Sequence, residues 1–198
     1  MKTWKVLALL LIAVLAWAVW SVVSPCCGAR RQPSTAETLA GRKLRWISVP
    51  AQARRQANPV PASPEVLQEA MRHFADHCAS CHGNDGSGDA VMGRHLYPPV
   101  PDMRQAPTQQ LSDGELYWIV HNGVPWTGMP AWGDAGEDRD SWKLVHFIRH
   151  LPRLSSDELR EMQRFNPISR SELEEENAER EFLNSADTGA KPKKLRTK

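Results

Sequence analysis

Apolar positions crowd together at the start of the chain, recur at helical spacing in its middle and thin out towards its end. From Val6 to Val23, 18 residues pass without a charge and with hardly a polar side chain. That approaches the roughly 20 apolar residues needed to cross a bilayer. Trp4 and Trp20 stand near the two ends, where amphipathic rings favour the membrane interface. A cleaved leader is the alternative, and "AWA" at 16–18 resembles a small-x-small cleavage site. The apolar stretch nevertheless exceeds the usual leader core of about 7–15 residues, which favours an uncleaved anchor.

The middle of the chain predicts three helices. In "SPEVLQEAMRHFADHC", Ser63 reads as a cap and Pro64 as the first helical residue. Val66, Leu67, Ala70, Met71, Phe74 and Ala75 then recur on one face. In "LSDGELYWIVHNG", Ser112 and Glu115 make a capping box and Gly123 a stop. "RDSWKLVHFIRHLP" repeats the helical period with Trp142, Val145, Phe147 and Ile148, and Pro152 closes it. Loops rich in Gly and Pro fill 83–107 and 123–138, and no segment alternates as a strand does. The expected architecture is all-α, organised as an apolar span at 1–24, a basic Pro-rich linker at 25–62, a helical domain at 63–155 and a charged, partly disordered extension at 156–198. The linker is expected to touch the domain, if at all, through Leu44, Trp46 and Ile47.

Charge sharpens these divisions. The net charge is +2, but residues 29–62 carry seven Arg or Lys against one Glu, while 63–155 carry seven basic and twelve acidic side chains. An acidic domain thus hangs on a basic linker. Lys2 and Lys5 precede the apolar span and Arg30 and Arg31 follow it, so charge alone does not orient it. Cys26 and Cys27, just beyond the span, receive no role.

The chemistry concentrates in "HCASCHGNDGSG", residues 77–88. A Cys-x-x-Cys pair serves a redox disulfide, a zinc site or covalent haem attachment. The redox motif belongs after a strand in a βαβ unit, whereas this pair ends a helix. Zinc would need His77 and Cys78, adjacent in sequence, at two corners of one tetrahedron, with no second pair at finger spacing. Haem attachment fits better: one helical turn sets the thiols of Cys78 and Cys81 along one edge of the macrocycle, and His82 follows as proximal ligand. A large apolar cofactor also compensates the small core that about ninety residues can build.

A sixth ligand is expected from Met129 in "TGMPAW", 47 residues after His82. Gly128 lets the backbone approach and Pro130 stiffens the loop. Met71 reads as core, Met92 and Met103 as neighbours of the attachment site, and Met162 as lying outside the compact region. His95 and His121 are further possible ligands by chemistry, but each reads as a surface histidine, in a loop or at a helix end.

With these motifs, residues 63–155 resemble a class I monohaem c-type cytochrome of the membrane-anchored bacterial kind. The resemblance implies a small cytochrome c fold of three main helices and long loops around one covalent haem c. It implies cofactor binding by Cys78, Cys81, His82 and Met129, with iron held by His82 and Met129. The first and last helices would cross through Ala70 and Phe74 against Phe147, Trp142 or Ile148. A carbonyl of Pro98 or Pro99 would accept from His82, and Trp126, Trp132 and Arg104 would serve the propionates. It places the domain on the periplasmic side of the cytoplasmic membrane, with the basic linker near anionic headgroups.

A six-coordinate His/Met haem suits one-electron transfer and not catalysis. The expected function is an anchored carrier passing electrons between respiratory redox partners, with no nucleic-acid partner. Its first alternative is a fixed cytochrome subunit of a membrane respiratory complex. A second, a haem peroxidase or gas sensor with a labile Met129, finds no catalytic acid, base or lid in the sequence.

Overall fold

The computed structural model describes residues 3–23, 28, 31–133, 138–167 and 178. Cys26, Cys27 and, apart from Ala178, the extension beyond Pro167 lie outside them. The described residues are helical, with no strand among them, in keeping with the all-α expectation.

Helix α1, Thr3–Val23, carries Lys5 as its one charge and is otherwise apolar but for Thr3 and Ser21, and its Trp4–Ser21 window is not buried against the rest of the described residues. Its window Trp4–Ser21 is long and apolar enough to cross a membrane. Helix α2, Thr35–Ser48, starts at a capping box in which Ser34 Oγ accepts from Glu37 N and Glu37 accepts from Ser34 N. A short α3, Ala51–Arg54, follows.

Helix α4, Pro64–His73, begins as expected, with Ser63 Oγ accepting from Val66 N. It runs through a π turn, Phe74–Cys78, into α5, Ala79–His82. After a 3-10 turn at Gly93–His95 and a short α6, Ala106–Gln109, come α7, Asp113–Asn122, and α8, Asp138–His150. Helix α9, Ser156–Gln163, ends the described fold.

The core forms where α4 crosses α8. Ala70 is buried there, and the ring centroids of Phe74 and Phe147 stand 4.9 Å apart. Helix α7 packs on α8, with Tyr117 stacked on Trp142 at 4.1 Å. Tyr117 Oη donates to Asp138 at 2.9 Å, and burial followed by this bond pushes its pKa up to about 12.

The packed unit extends beyond 63–155 in both directions. On the N-terminal side, Val49, Ala53 and Val60 are buried, whereas Leu44, Trp46 and Ile47, the expected contacts, are exposed. Gly114 of α7 faces the carbonyl of Ala53 so closely that any side chain would strike it. Asn58 donates to the Trp142 carbonyl at 2.9 Å, and His146 Nε2 meets the Val60 carbonyl at 2.8 Å. On the C-terminal side, Met162 is 0% exposed within the core, contrary to its expected place outside it. Leu154 and Phe165 pack against the same core, and Arg72 lies over the Phe165 ring. Charged neighbours hide this stripe in the sequence, because only the face carrying Met162 and Phe165 turns inward.

Candidate functional site

The attachment motif sits where the first core helix changes its winding. The π turn Phe74–Cys78 inserts one extra residue per turn before the helix resumes through Cys81 and His82. Single π turns of this kind are frequent at functional sites. Cys78, Cys81 and His82 therefore fall within one continuous helical segment, which the C-cap Gly83 closes. No disulfide joins the two cysteines. Burial pushes the Cys78 thiol up to about 12, so it stands neutral.

His82 is held against the core, its ring centroid 6.4 Å from that of Phe74. Burial lowers its pKa to about 4, leaving the imidazole neutral and competent as a metal ligand. Its Nδ1 is buried without a hydrogen-bond partner. The expected bond to Pro98 or Pro99 is thus not formed here.

The loop after His82 is fastened by polar contacts. Gly88 N donates to the His82 carbonyl at 2.8 Å, and Met103 N to that of Gly86 at 2.8 Å. Arg104 clamps the loop by donating to Asp102 at 2.8 and 2.9 Å and to Asp85 at 2.8 Å. It is committed to these carboxylates and does not stand free as the expected propionate donor. The side-chain bond from Arg104 holds Asp102 down to about 2. Because this folded-state pKa lies below the ordinary value of 3.8, the bond stabilises fully above that value and is lost as pH falls towards 2. Asp102→Asn should remove about 1 kcal/mol at neutral pH, after solvent screening, and flatten the acid limb between pH 4 and 2. Thermal melts across that range check it.

The second half of the site returns from the end of α7. Gly123 takes a φ of 68°, a left-handed conformation. A methyl group there would lie 2.5 Å from the Pro130 carbonyl carbon and 2.6 Å from Ala131 N, both backbone atoms. Val124 N donates to the Met129 carbonyl at 3.2 Å, and Met129 N donates to Thr127 Oγ1 at 3.1 Å. Trp132 N and Gly133 N return to the carbonyls of Val120 and His121. Gly123→Ala should therefore displace the Met129 loop. It should cost about 2 kcal/mol through left-handed strain plus overpacking, seen as a lowered melting temperature.

The two halves meet at Trp132 and also border the same core. The Trp132 ring stacks on His77, centroids 5.7 Å apart, one residue before Cys78. Met129 and Cys78 both pack, partly buried, against one core cluster. Trp126, another expected donor, instead stands 92% exposed at a φ of 59°.

His121, a possible ligand that the sequence reads as a surface residue, is half-buried instead. Its Nδ1 is buried without a partner beneath Gly133, and its ring stacks on Tyr117 at 5.1 Å. Its place at a helix end signals nothing of this, because the lid over it comes from a loop twelve residues later.

The residues present fit a covalently held haem. They offer two thiols on one turn that are free of any disulfide, a neutral imidazole with an orphaned ring nitrogen, and a thioether on a loop packed against the same core.

An all-helical fold bearing this donor set defines a c-type cytochrome domain. Residues 65–148 match the family model described as cytochrome c oxidase, cbb3-type, subunit III. The chain is similar to the cbb3-type cytochrome c oxidase subunit FixP of Rhizobium meliloti (strain 1021), at 34% identity over 92 residues. It is also similar to FixP of Sinorhizobium medicae (strain WSM419), at 36% over 92 residues, and to FixPc of Rhizobium leguminosarum bv. viciae, at 33% over 92 residues. These alignments cover 46% of this chain but only 29%, 29% and 30% of the respective relatives.

Proposed function

We propose that the protein is a membrane-anchored cytochrome c subunit of a respiratory oxidase complex, carrying electrons one at a time without itself reducing the terminal acceptor. The single observation that carries this reading is a c-type attachment helix in a domain similar to cbb3-type oxidase subunits. The relatives' names favour a fixed subunit over the anchored shuttle between partners.

In this reading Cys78 and Cys81 hold one haem c, since Cys-x-x-Cys-His occurs once in the chain. When bound, the haem supplies a one-electron ferric/ferrous couple, whose potential a methionine ligand raises. His82 presents a neutral ring nitrogen to the iron and Met129 its thioether. Phe74 and the α4–α8 core keep water from the His82 side. Trp132, stacked on His77, holds the Met129 loop to the attachment helix. Trp4–Ser21 anchors the chain in the cytoplasmic membrane, with the domain on the periplasmic side.

Visible spectra of the haem-loaded protein test the ligands. A low-spin spectrum with a weak far-red sulfur–iron band is expected, and Met129→Ala should abolish that band while His121→Ala retains it. Survival of the band in Met129→Ala would reject Met129 as ligand. Stable co-purification with oxidase subunits in mild detergent is expected for the fixed subunit. Recovery as a lone chain would return the shuttle.

A further inference from the structure

Helix α2 is amphipathic in an inverted sense. At about 100° per residue, Ala36, Leu39, Ala40, Leu44, Trp46 and Ile47 share one side of it. A helix packed on its own protein turns such a side inward. Here Leu39, Leu44 and Ile47 are each 60% exposed and Trp46 is 51% exposed. The partly buried side chains of α2 are Thr38 and Arg45, on the opposite side. The polar side thus turns towards the domain and the apolar side away from it.

Both ends of the helix are tied down in that orientation. At the N-terminus, Tyr97 Oη donates to Glu37 Oε1 at 3.0 Å, and Arg31 donates to both Tyr97 and Glu37. At the C-terminus, Arg54 donates to the Trp46 carbonyl at 2.9 Å, and its guanidinium lies 4.2 Å above the Trp46 ring. Val49 and Ala53, just beyond, are buried in the domain.

Charge and chain connectivity select what covers the apolar side. Lys43 lies within the apolar arc itself, its Nζ 4.9 Å above the Trp46 ring, and Arg42 borders it. A dry protein interface would strand the lysine charge, whereas at a bilayer surface its stem lies along the apolar face and its ammonium reaches the headgroups. Trp46 has the amphipathic ring favoured at that depth. The span Trp4–Ser21 stands close by in sequence, and residues 29–62 carry seven basic side chains against one acidic.

We propose that α2 lies in the surface of the same bilayer that Trp4–Ser21 spans, its apolar side at the headgroup–acyl boundary and Arg42 and Lys43 on anionic phospholipid headgroups. The cytochrome domain is thereby held against the membrane by a second, interfacial element. This rests on the membrane anchoring proposed above and adds to it a defined surface.

Hydroxyl-radical footprinting of the full haem-loaded protein in vesicles of mixed phosphatidylcholine and phosphatidylglycerol tests it, with co-sedimentation measured in parallel. Trp126, 92% exposed in the loop bearing Met129, serves as the internal reference. Trp46 should be oxidised several-fold more slowly than Trp126, and Leu44 several-fold more slowly in sedimented protein than in the same protein without vesicles. In Leu39→Glu with Ile47→Glu that protection should disappear while the protein still sediments with the vesicles. Trp46 oxidised as fast as Trp126 in sedimenting wild-type protein would overturn the interfacial helix and leave the anchor standing. Protection that grows with the protein-to-lipid ratio would assign the face to a second copy and overturn the proposal. Failure to sediment would overturn both readings.

Discussion

Replacing Cys78 and Cys81 together with alanine is expected to leave no haem on the chain after denaturing electrophoresis, where the wild type stains fully. Each thiol sits on a continuous helix ending in His82, and neither is used in a disulfide. Non-covalent haem would then depend on axial ligation alone, with the ring free to leave through any opening of the Met129 loop. Extraction into acidified organic solvent should remove all of it. Retention of the stain would mean that other nucleophiles hold the group, and the assignment of these cysteines would fall. The loss should also lower stability, because the core of the domain is small for its size.

The second large effect is expected far from the attachment motif. Met162→Ala should destabilise the domain by about 2–5 kcal/mol, the range for truncating a large buried side chain. Met162 is 0% exposed and belongs to the cluster that includes Ala70, Phe74 and Phe147. Helix α9 is joined to α8 by His150 and Glu158 at 2.7 Å, and Arg72 of α4 lies over Phe165 just beyond its end. These exposed or half-exposed links contribute little each, so the methionine dominates. A melting temperature lowered by about 10 °C is the corresponding observation. No change on mutation would mean that α9 is dispensable and that the fold ends near residue 155.

How much of this was legible in the sequence depends on which signal each element carries. Helices α4, α7 and α8 announced themselves by apolar residues at helical spacing, bounded by Ser63, Ser112 and Gly123. The Cys-x-x-Cys-His run is local, so its place on one helical segment followed from spacing alone. The π turn before it leaves no compositional trace. Helix α9 was missed as part of the core because its sequence is dominated by charge, and two inward side chains suffice to dock it. The linker misled in the opposite way: its conspicuous apolar residues, Leu44, Trp46 and Ile47, face outward, while the inconspicuous Val49, Ala53 and Val60 make the contact. His121 and the Arg104 clamp depend on loops folding back across the chain, which no window of sequence displays.

The link between span and domain has a kinetic meaning. Residues 24–30 separate α1 from Arg31, the first of the described side chains tied to the helical domain. Seven residues reach no further than about 25 Å even when fully extended. With Trp4–Ser21 in the bilayer as proposed, the redox centre moves on a short orbit, and a partner within that orbit meets it at an effective concentration on the order of millimolar. Electron hand-off to such a partner is then first order, indifferent to how many copies the cell makes. A partner outside the orbit is met only when the anchor diffuses to it in the bilayer, so the length of seven residues favours near neighbours.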